Sequence, residues 1–215
     1  ATIEDLILGC AFPEGEQGFN AARLVALLAG LPISVAGTTV NRFCGSSMQS
    51  VHMAAGAIAM GAGDAFVCAG VESMTRVPMQ GFNPMPNPAM ADVAPAAYMS
   101  MGETAENVAN RYQIERAEQE AFAVESHARA NAARDGGRFD AEIVPIASNG
   151  GMVSRDGCIR AETTTQGLSE LKPAFDVNGS VTAGTSSPLT DGAAAVLVTS
   201  SEYAKTHGLT PIAIV

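Results

Sequence analysis

An α/β layer fold with a mostly parallel sheet is the architecture this sequence predicts. Short β-branched or apolar runs at residues 6–8, 33–40 and 65–69 alternate with helix-period segments at 20–28 and 47–60. Hydrophobic residues make up 47% of the 215 positions and charged residues 16%, the balance of a packed chain rather than a disordered one. The length allows one large domain or two small ones.

Taken in order, residues 2–10 read as a short helix end running into the strand Leu6-Ile7-Leu8. A helix over 20–28 follows, closed by Gly30 and Pro32, and then a strand over 33–40. Residues 41–47 form a small-residue turn. The helix from Ser47 to about Met60 carries Met48, Val51, Ala55, Ile58 and Ala59 at helical spacing, and 65–69 reads as a buried strand. From Pro78 to Pro95 lie five prolines, and from Met74 to Met101 six of the ten methionines, so this stretch reads as a long loop. Helices are expected over 104–112 and 115–134, the second with Ala117, Ala121, Phe122, Ala128 and Ala132 on its apolar stripe and Gly136-Gly137 at its end. Residues 143–146 read as a strand and 148–169 as polar and turn-rich. Order returns at Val181. Val196-Leu197-Val198 ends a buried strand, 201–207 is a helix stopped by Gly208, and 212–215 reads as the start of a strand.

Charge and cysteine usage exclude several functions. With 12 basic against 22 acidic residues, the net charge of −10 repels nucleic acid, though a few local Arg or Lys side chains suffice for a phosphorylated small molecule. Cys10, Cys44, Cys68 and Cys158 show no C-x-x-C spacing, and the three histidines are scattered, which argues against a metal site or a disulfide framework. Reduced thiols in a cytoplasmic compartment fit best. No signal peptide and no apolar run of membrane-spanning length is visible.

Cys44 lies between a strand and a helix start, where free backbone N–H groups and the helix dipole favour negative charge. That placement suits a thiolate nucleophile, and Gly45, Ser46 and Ser47 leave room for a substrate. A buried structural cysteine is the competing reading, and position alone leaves both open.

The wording around Cys44 decides between them. Asn41-Arg42-Phe43-Cys44-Gly45-Ser46-Ser47-Met48-Gln49 resembles the active-cysteine motif of thiolases. In the family's order follow Ala69-Gly70-Val71-Glu72-Ser73-Met74, Met101-Gly102-Glu103-Thr104-Ala105-Glu106-Asn107, and the Val181-Thr182-Ala183-Gly184-Thr185-Ser186-Ser187 stretch that runs on to Ala195. The resemblance covers essentially the whole chain and is greatest to bacterial degradative 3-ketoacyl-CoA thiolases. It implies a thiolase-like fold: an N-terminal α/β core at 1–76 without its first strand, an inserted loop domain with CoA-binding elements at 77–180, and a return to the core at 181–215, with the C-terminal domain missing. It also implies cleavage of 3-ketoacyl-CoA by CoA through an acyl-Cys44 thioester, as in fatty-acid β-oxidation, with coenzyme A as substrate and no other cofactor. By the same resemblance Arg160 lies over the CoA nucleotide, Ser187 meets the pantetheine arm, and Met101 lines the acyl pocket. Ser100 stands where many relatives carry a CoA-contacting histidine, so that contact does not carry over. A homodimer or tetramer and a β-oxidation partner subunit are implied as well.

The family's Gly-His-Pro histidine and Cys-x-Gly cysteine do not occur here as such; Cys68-Ala69-Gly70 has the letters but follows the wrong helix. The chain alone is therefore expected to be inactive. Two other readings stand beside the degradative one: a biosynthetic acetyl-CoA C-acetyltransferase, and a non-catalytic CoA-binding or assembly fragment. Among the remaining residues, His52 is expected to pack, His127 to be solvated, and His207 to serve as a helix C-terminal cation. Cys10 and Cys68 are expected in the core and Cys158 in a polar loop. Gly61-Ala62-Gly63 is not a dinucleotide fingerprint. The methionine-rich loop suits either an adaptable surface or plain packing.

Overall fold

A computed structural model describes residues 2–215. In chain order its elements are β1 (Asp5–Gly9), α1 (Ala21–Leu28), β2 (Ala36–Val40), α2 (Ser46–Ala59), β3 (Ala65–Ser73), α3 (Met90–Val93), α4 (Met101–Tyr112), α5 (Arg116–Asp135), β4 (Ile146–Ser148), β5 (Gly151–Val153), α6 (Thr165–Ser169), β6 (Asp191–Thr199) and α7 (Ser201–Thr206). They form two units, one running to Met85 and resuming at Leu189, the other Pro86–Pro188. The sequence places these divisions at 76/77 and 180/181. The chain beyond Arg76 stays with the first unit because Val77 is buried and the Phe82 amide donates to Glu14 Oε2 at 2.7 Å.

The first unit is built on a sheet of order β2-β1-β3-β6. β1 pairs parallel with both neighbours, Leu6 lying opposite Gly37 and Val67, and β6 runs antiparallel to β3. Strand alternation sends successive side chains to opposite faces. Leu6 and Leu8 pack with Ala21, Ala22 and Ala26 of α1. Ile7 packs with Ala54 of α2 and with Phe66 and Cys68 of β3. Because both faces of β1 are covered, its run of three consecutive apolar residues is the pattern of a central parallel strand.

α1 begins where the sequence places it: the Asn20 side chain accepts from the Arg23 amide at 3.3 Å and its Nδ2 donates to Gly37 O at 2.7 Å. Gly30, at φ +75°, follows its end. Several expectations are corrected. Among the described residues no helix precedes β1. β2 starts at Ala36 rather than at 33, because Val35 closes a turn onto Pro32 O and is itself buried. Val196 and Leu197, expected to be buried, are 48% and 47% exposed, and residues 212–215 form no strand. On α2 the buried side chains are the small ones, Ser46, Ser50 and Ala54, while Met48 is 57% exposed.

In the second unit, α4, expected from 104, starts instead at Met101 behind a capping box in which Ser100 and Glu103 exchange hydrogen bonds, and at the start of α5 the Glu115 amide donates to Glu118 Oε2 at 2.9 Å. The expected stripe of α5 is outward, with Phe122 75% exposed. Glu120 is buried instead. Arg116 Nε reaches its Oε1 at 2.7 Å, while Arg116 Nη2 donates to the carbonyls of Leu168, Ser169 and Leu171 around the end of α6. Glu106 on α4 is also buried, and its carboxylate accepts from the amides of Ser180 at 3.0 Å and Val181 at 2.8 Å. Around 143–153 the only pairing is the hairpin of β4 and β5, so the expected strand begins no earlier than Ile146. Among the described residues no helix is long and apolar enough to cross a membrane.

Candidate active site

Cys44 stands in the link between β2 and α2, two residues before the first helical position. The link is tightly bonded. Gly45 N donates to Arg42 O at 3.1 Å and Ser46 N to Phe43 O at 3.0 Å, while Ser46 Oγ accepts from Arg42 N at 2.8 Å. Phe43 sits at φ +47°, a left-handed conformation that costs a bulky residue about 1–3 kcal/mol. That tight turn leaves Cys44 exposed. Among the described residues no acceptor meets the amides of Cys44, Ser47 or Met48, so the helix start keeps free donors at and just after the cysteine in the chain.

The start of α2 lies directly on two glycines that face each other across β1 and β3, Gly9 and Gly70. A Cβ on Gly9 would collide with the backbone of Ser46 and Ser47, and one on Gly70 would come within 2.6 Å of Ser47 Cβ. These glycines set the height of the helix over the sheet, a role the sequence reading did not assign them.

The other three thiols are held back. Burial, reinforced by the Glu72 carboxylate, pushes the Cys10 thiol up to about 11. Burial likewise raises Cys68, which is 2% exposed and donates to Ser50 O at 3.4 Å. Cys158 is raised by desolvation and by Asp156 beside it. Near neutral pH these three remain thiols, the poorer nucleophiles.

Within the second unit a cavity of about 990 Å³ is walled by α4, α5 and the chain at 181–188. Its lining is largely apolar, including Val108, Ile114, Phe122 and Ile159. Met101 and Ser187 both line it, so two of the residues singled out from the sequence come together here. Arg160 does not line it; its amide donates to His127 Nδ1 at 3.2 Å, while Cys158 and Ile159 form the adjoining wall. Cys44 belongs to the first unit. His127, expected in solvent, is half-buried and lines the cavity. Because its Nδ1 accepts, its neutral ring carries the proton on Nε2. The expectation for His52 is also corrected, since it is exposed rather than packed. His207 stacks on Tyr203 with ring centroids 4.0 Å apart at the end of α7. Among the described residues no cluster of three or more His, Cys, Asp or Glu is placed to hold a metal ion.

Comparison with known proteins gives a consistent result. A family profile described as "Thiolase, N-terminal domain" matches residues 1–202. The 3-ketoacyl-CoA thiolase of Bacillus subtilis (strain 168) is 48% identical over 223 residues, covering 98% of this chain and 57% of that protein. Those of Marinobacter nauticus and Aeromonas hydrophila subsp. hydrophila are 49% and 50% identical, covering 98% and 97% of this chain and 55% of each relative. The chain thus spans a little over half the length of the curated relatives it matches.

Proposed function

Because this chain belongs to the thiolase family through that family's N-terminal domain, we propose that Cys44 is the acyl-carrying nucleophile of a degradative 3-ketoacyl-CoA thiolase. The exposure of Cys44 just before α2, with the amides of Cys44, Ser47 and Met48 unclaimed, carries this reading. The Cys44 sulfur adds to the 3-keto carbon, and the Cys44 N–H is one donor to the oxyanion that forms. Collapse of that adduct breaks the bond between C2 and C3. The electron pair leaves on C2, which takes up a proton and departs as acetyl-CoA. The thiol of a second CoA then displaces Cys44 from the thioester, giving the shortened acyl-CoA and regenerating the free cysteine.

The cavity of the second unit is the proposed binding region for the acyl-CoA, with Met101 against the acyl chain, Ser187 on the pantetheine arm and Arg160 over the nucleotide. Its mostly apolar lining suits a long flexible thioester. CoA enters as a substrate, and the reaction as written uses no other cofactor. The names of the relatives favour the cleavage direction of fatty-acid β-oxidation. A cytoplasmic homodimer or tetramer, joined by a β-oxidation partner subunit, belongs to the same proposal.

The test is to incubate the 215-residue chain with 3-ketoacyl-CoA, quench it, and map the acyl mass by peptide mass spectrometry. A shortened acyl group on Cys44 without sustained turnover is the expected result, because no Gly-His-Pro histidine is present to support repeated cycles. An acyl group on Cys158, or none on any cysteine, overturns the assignment.

A further inference from the structure

We infer that Glu72 is a positioning residue for Cys44, acting through the Ala11–Phe12 peptide and Asn41; the inference rests on the nucleophile assignment above. Glu72 lies near the end of β3, half-buried, and its carboxylate is directed at the chain leaving β1. Oε2 accepts from the Ala11 amide at 2.7 Å, and Oε1 accepts from the Phe12 amide at 3.3 Å and from Gln17 Nε2 at 2.9 Å. Gln17 is itself buried, donates also to Phe12 O at 2.9 Å, and accepts from Ser73 N at 2.5 Å. The turn at 11–12 is therefore tied to β3 by side chains from two directions.

That turn in turn holds the nucleophile link. The peptide whose N–H belongs to Phe12 presents its carbonyl, Ala11 O, to Asn41 Nδ2 at 2.9 Å. The other end of the Asn41 amide, Oδ1, accepts from Phe43 N at 2.8 Å. The Phe12 and Phe43 rings meet at a centroid distance of 6.1 Å, tilted by 54°. A continuous series of hydrogen bonds thus runs from the Glu72 carboxylate to the residue that precedes Cys44, and that residue is in a left-handed conformation that needs outside support. Each link polarises the next. Carboxylate is the group this position requires, because three N–H donors converge on it and a carboxylate offers only acceptors. An amide would turn an N–H toward one of them.

Positioning is separable from simple structural support by comparing two reactions of the same sulfur. Acylation by p-nitrophenyl acetate forms a bond from sulfur to a carbonyl carbon, expels p-nitrophenolate, and places negative charge on the carbonyl oxygen, where aimed amides assist. Alkylation by iodoacetamide displaces iodide at a saturated carbon and makes no oxyanion. Thiolate content enters both rates alike, so their ratio reports the geometry at Cys44 alone. Glu72→Gln is expected to lower the ratio by about tenfold to a hundredfold, the scale of an ångström-sized misplacement or of one lost oxyanion donor. Alkylation itself should change by no more than about threefold. Asn41→Ala cuts the same series at its next link and should lower the ratio similarly, and it decides the matter if Glu72→Gln does not fold. In the double variant the loss should match the larger single loss rather than the product of both.

An unchanged ratio in the folded Glu72→Gln chain, or in Asn41→Ala should the first not fold, overturns the inference, as do losses that multiply. A different result marks failure of the nucleophile assignment itself. In that case the ratio for Cys44 in the folded parent chain equals that in the urea-unfolded chain, and the inference about Glu72 falls with it.

Discussion

Adding a single methyl group at Gly70 tests how closely the proposed nucleophile, Cys44, depends on the packing of α2 onto the sheet. In Gly70→Ala the new Cβ would lie 2.6 Å from Ser47 Cβ, about 0.8 Å short of the 3.4 Å at which van der Waals contact becomes ordinary. Ser47 Cβ is fixed to the helix backbone and has no rotamer with which to retreat, so the first turn of α2 must lift from β3. Overpacking of this kind destabilises a protein by about 1–3 kcal/mol. A displacement near 1 Å at the nucleophile slows acyl transfer by about a hundredfold. The assay pairs a urea unfolding curve, read as its midpoint, with the rate at which Cys44 is acylated by a thioester. Both should fall in Gly70→Ala. A variant that keeps the parent midpoint and the parent acylation rate would refute the claim that the Gly9 and Gly70 surface sets the position of Cys44.

Iodoacetamide at neutral pH should label Cys44 first, with Cys10 and Cys68 protected until the chain unfolds; peptide mapping that finds Cys158 labelled ahead of Cys44 contradicts this order. Arg116→Ala leaves the buried Glu120 carboxylate without its partner and uncaps the end of α6, and should lower stability by about 3 kcal/mol in a denaturant titration; a loss under about 0.5 kcal/mol would show the pair to be dispensable. Asp5 is raised above its usual range by burial, and its Oδ1 has no hydrogen-bond partner. A raised acid binds more protons folded than unfolded, so its ionised form weakens the fold above the folded value and the penalty is gone below the unfolded value. Asp5→Asn should therefore raise Tm at pH 7, with the gain fading as the pH falls through the carboxylate range; a gain that grows on acidification contradicts the reasoning.

Local signals in the sequence were enough for much of the fold and for the place of Cys44 in it. Asn20 and Gly30 bound α1 where the sequence expects it to start and end, because capping depends on residues only three or four positions apart, whereas α4 opens at Ser100 and Glu103, earlier than the expected 104. The place of Cys44 between a strand and a helix was legible for the same reason. Periodicity failed where the buried face of a helix is not its most apolar one. α2 buries Ser46 where its backbone meets Gly9 and buries Ser50 where its carbonyl accepts from Cys68, and α5 buries Glu120 because Arg116 meets its charge there. No spacing rule within a single helix carries that information, since the partner surface decides it.

The sequence alone therefore determined the α/β class, the alternation of strands and helices from β1 to β3 and the place of Cys44 between β2 and α2, all of which follow from neighbours along the chain. Only the tertiary structure decided that Glu72 bonds Ala11 across 61 positions, that Glu106 bonds Val181 across 75 positions, and that His127, Met101 and Ser187 share one cavity. A carboxylate that will be buried and one that will be solvated look identical in sequence. What separates them is whether distant backbone amides converge on the charge, and that is settled when the chain folds.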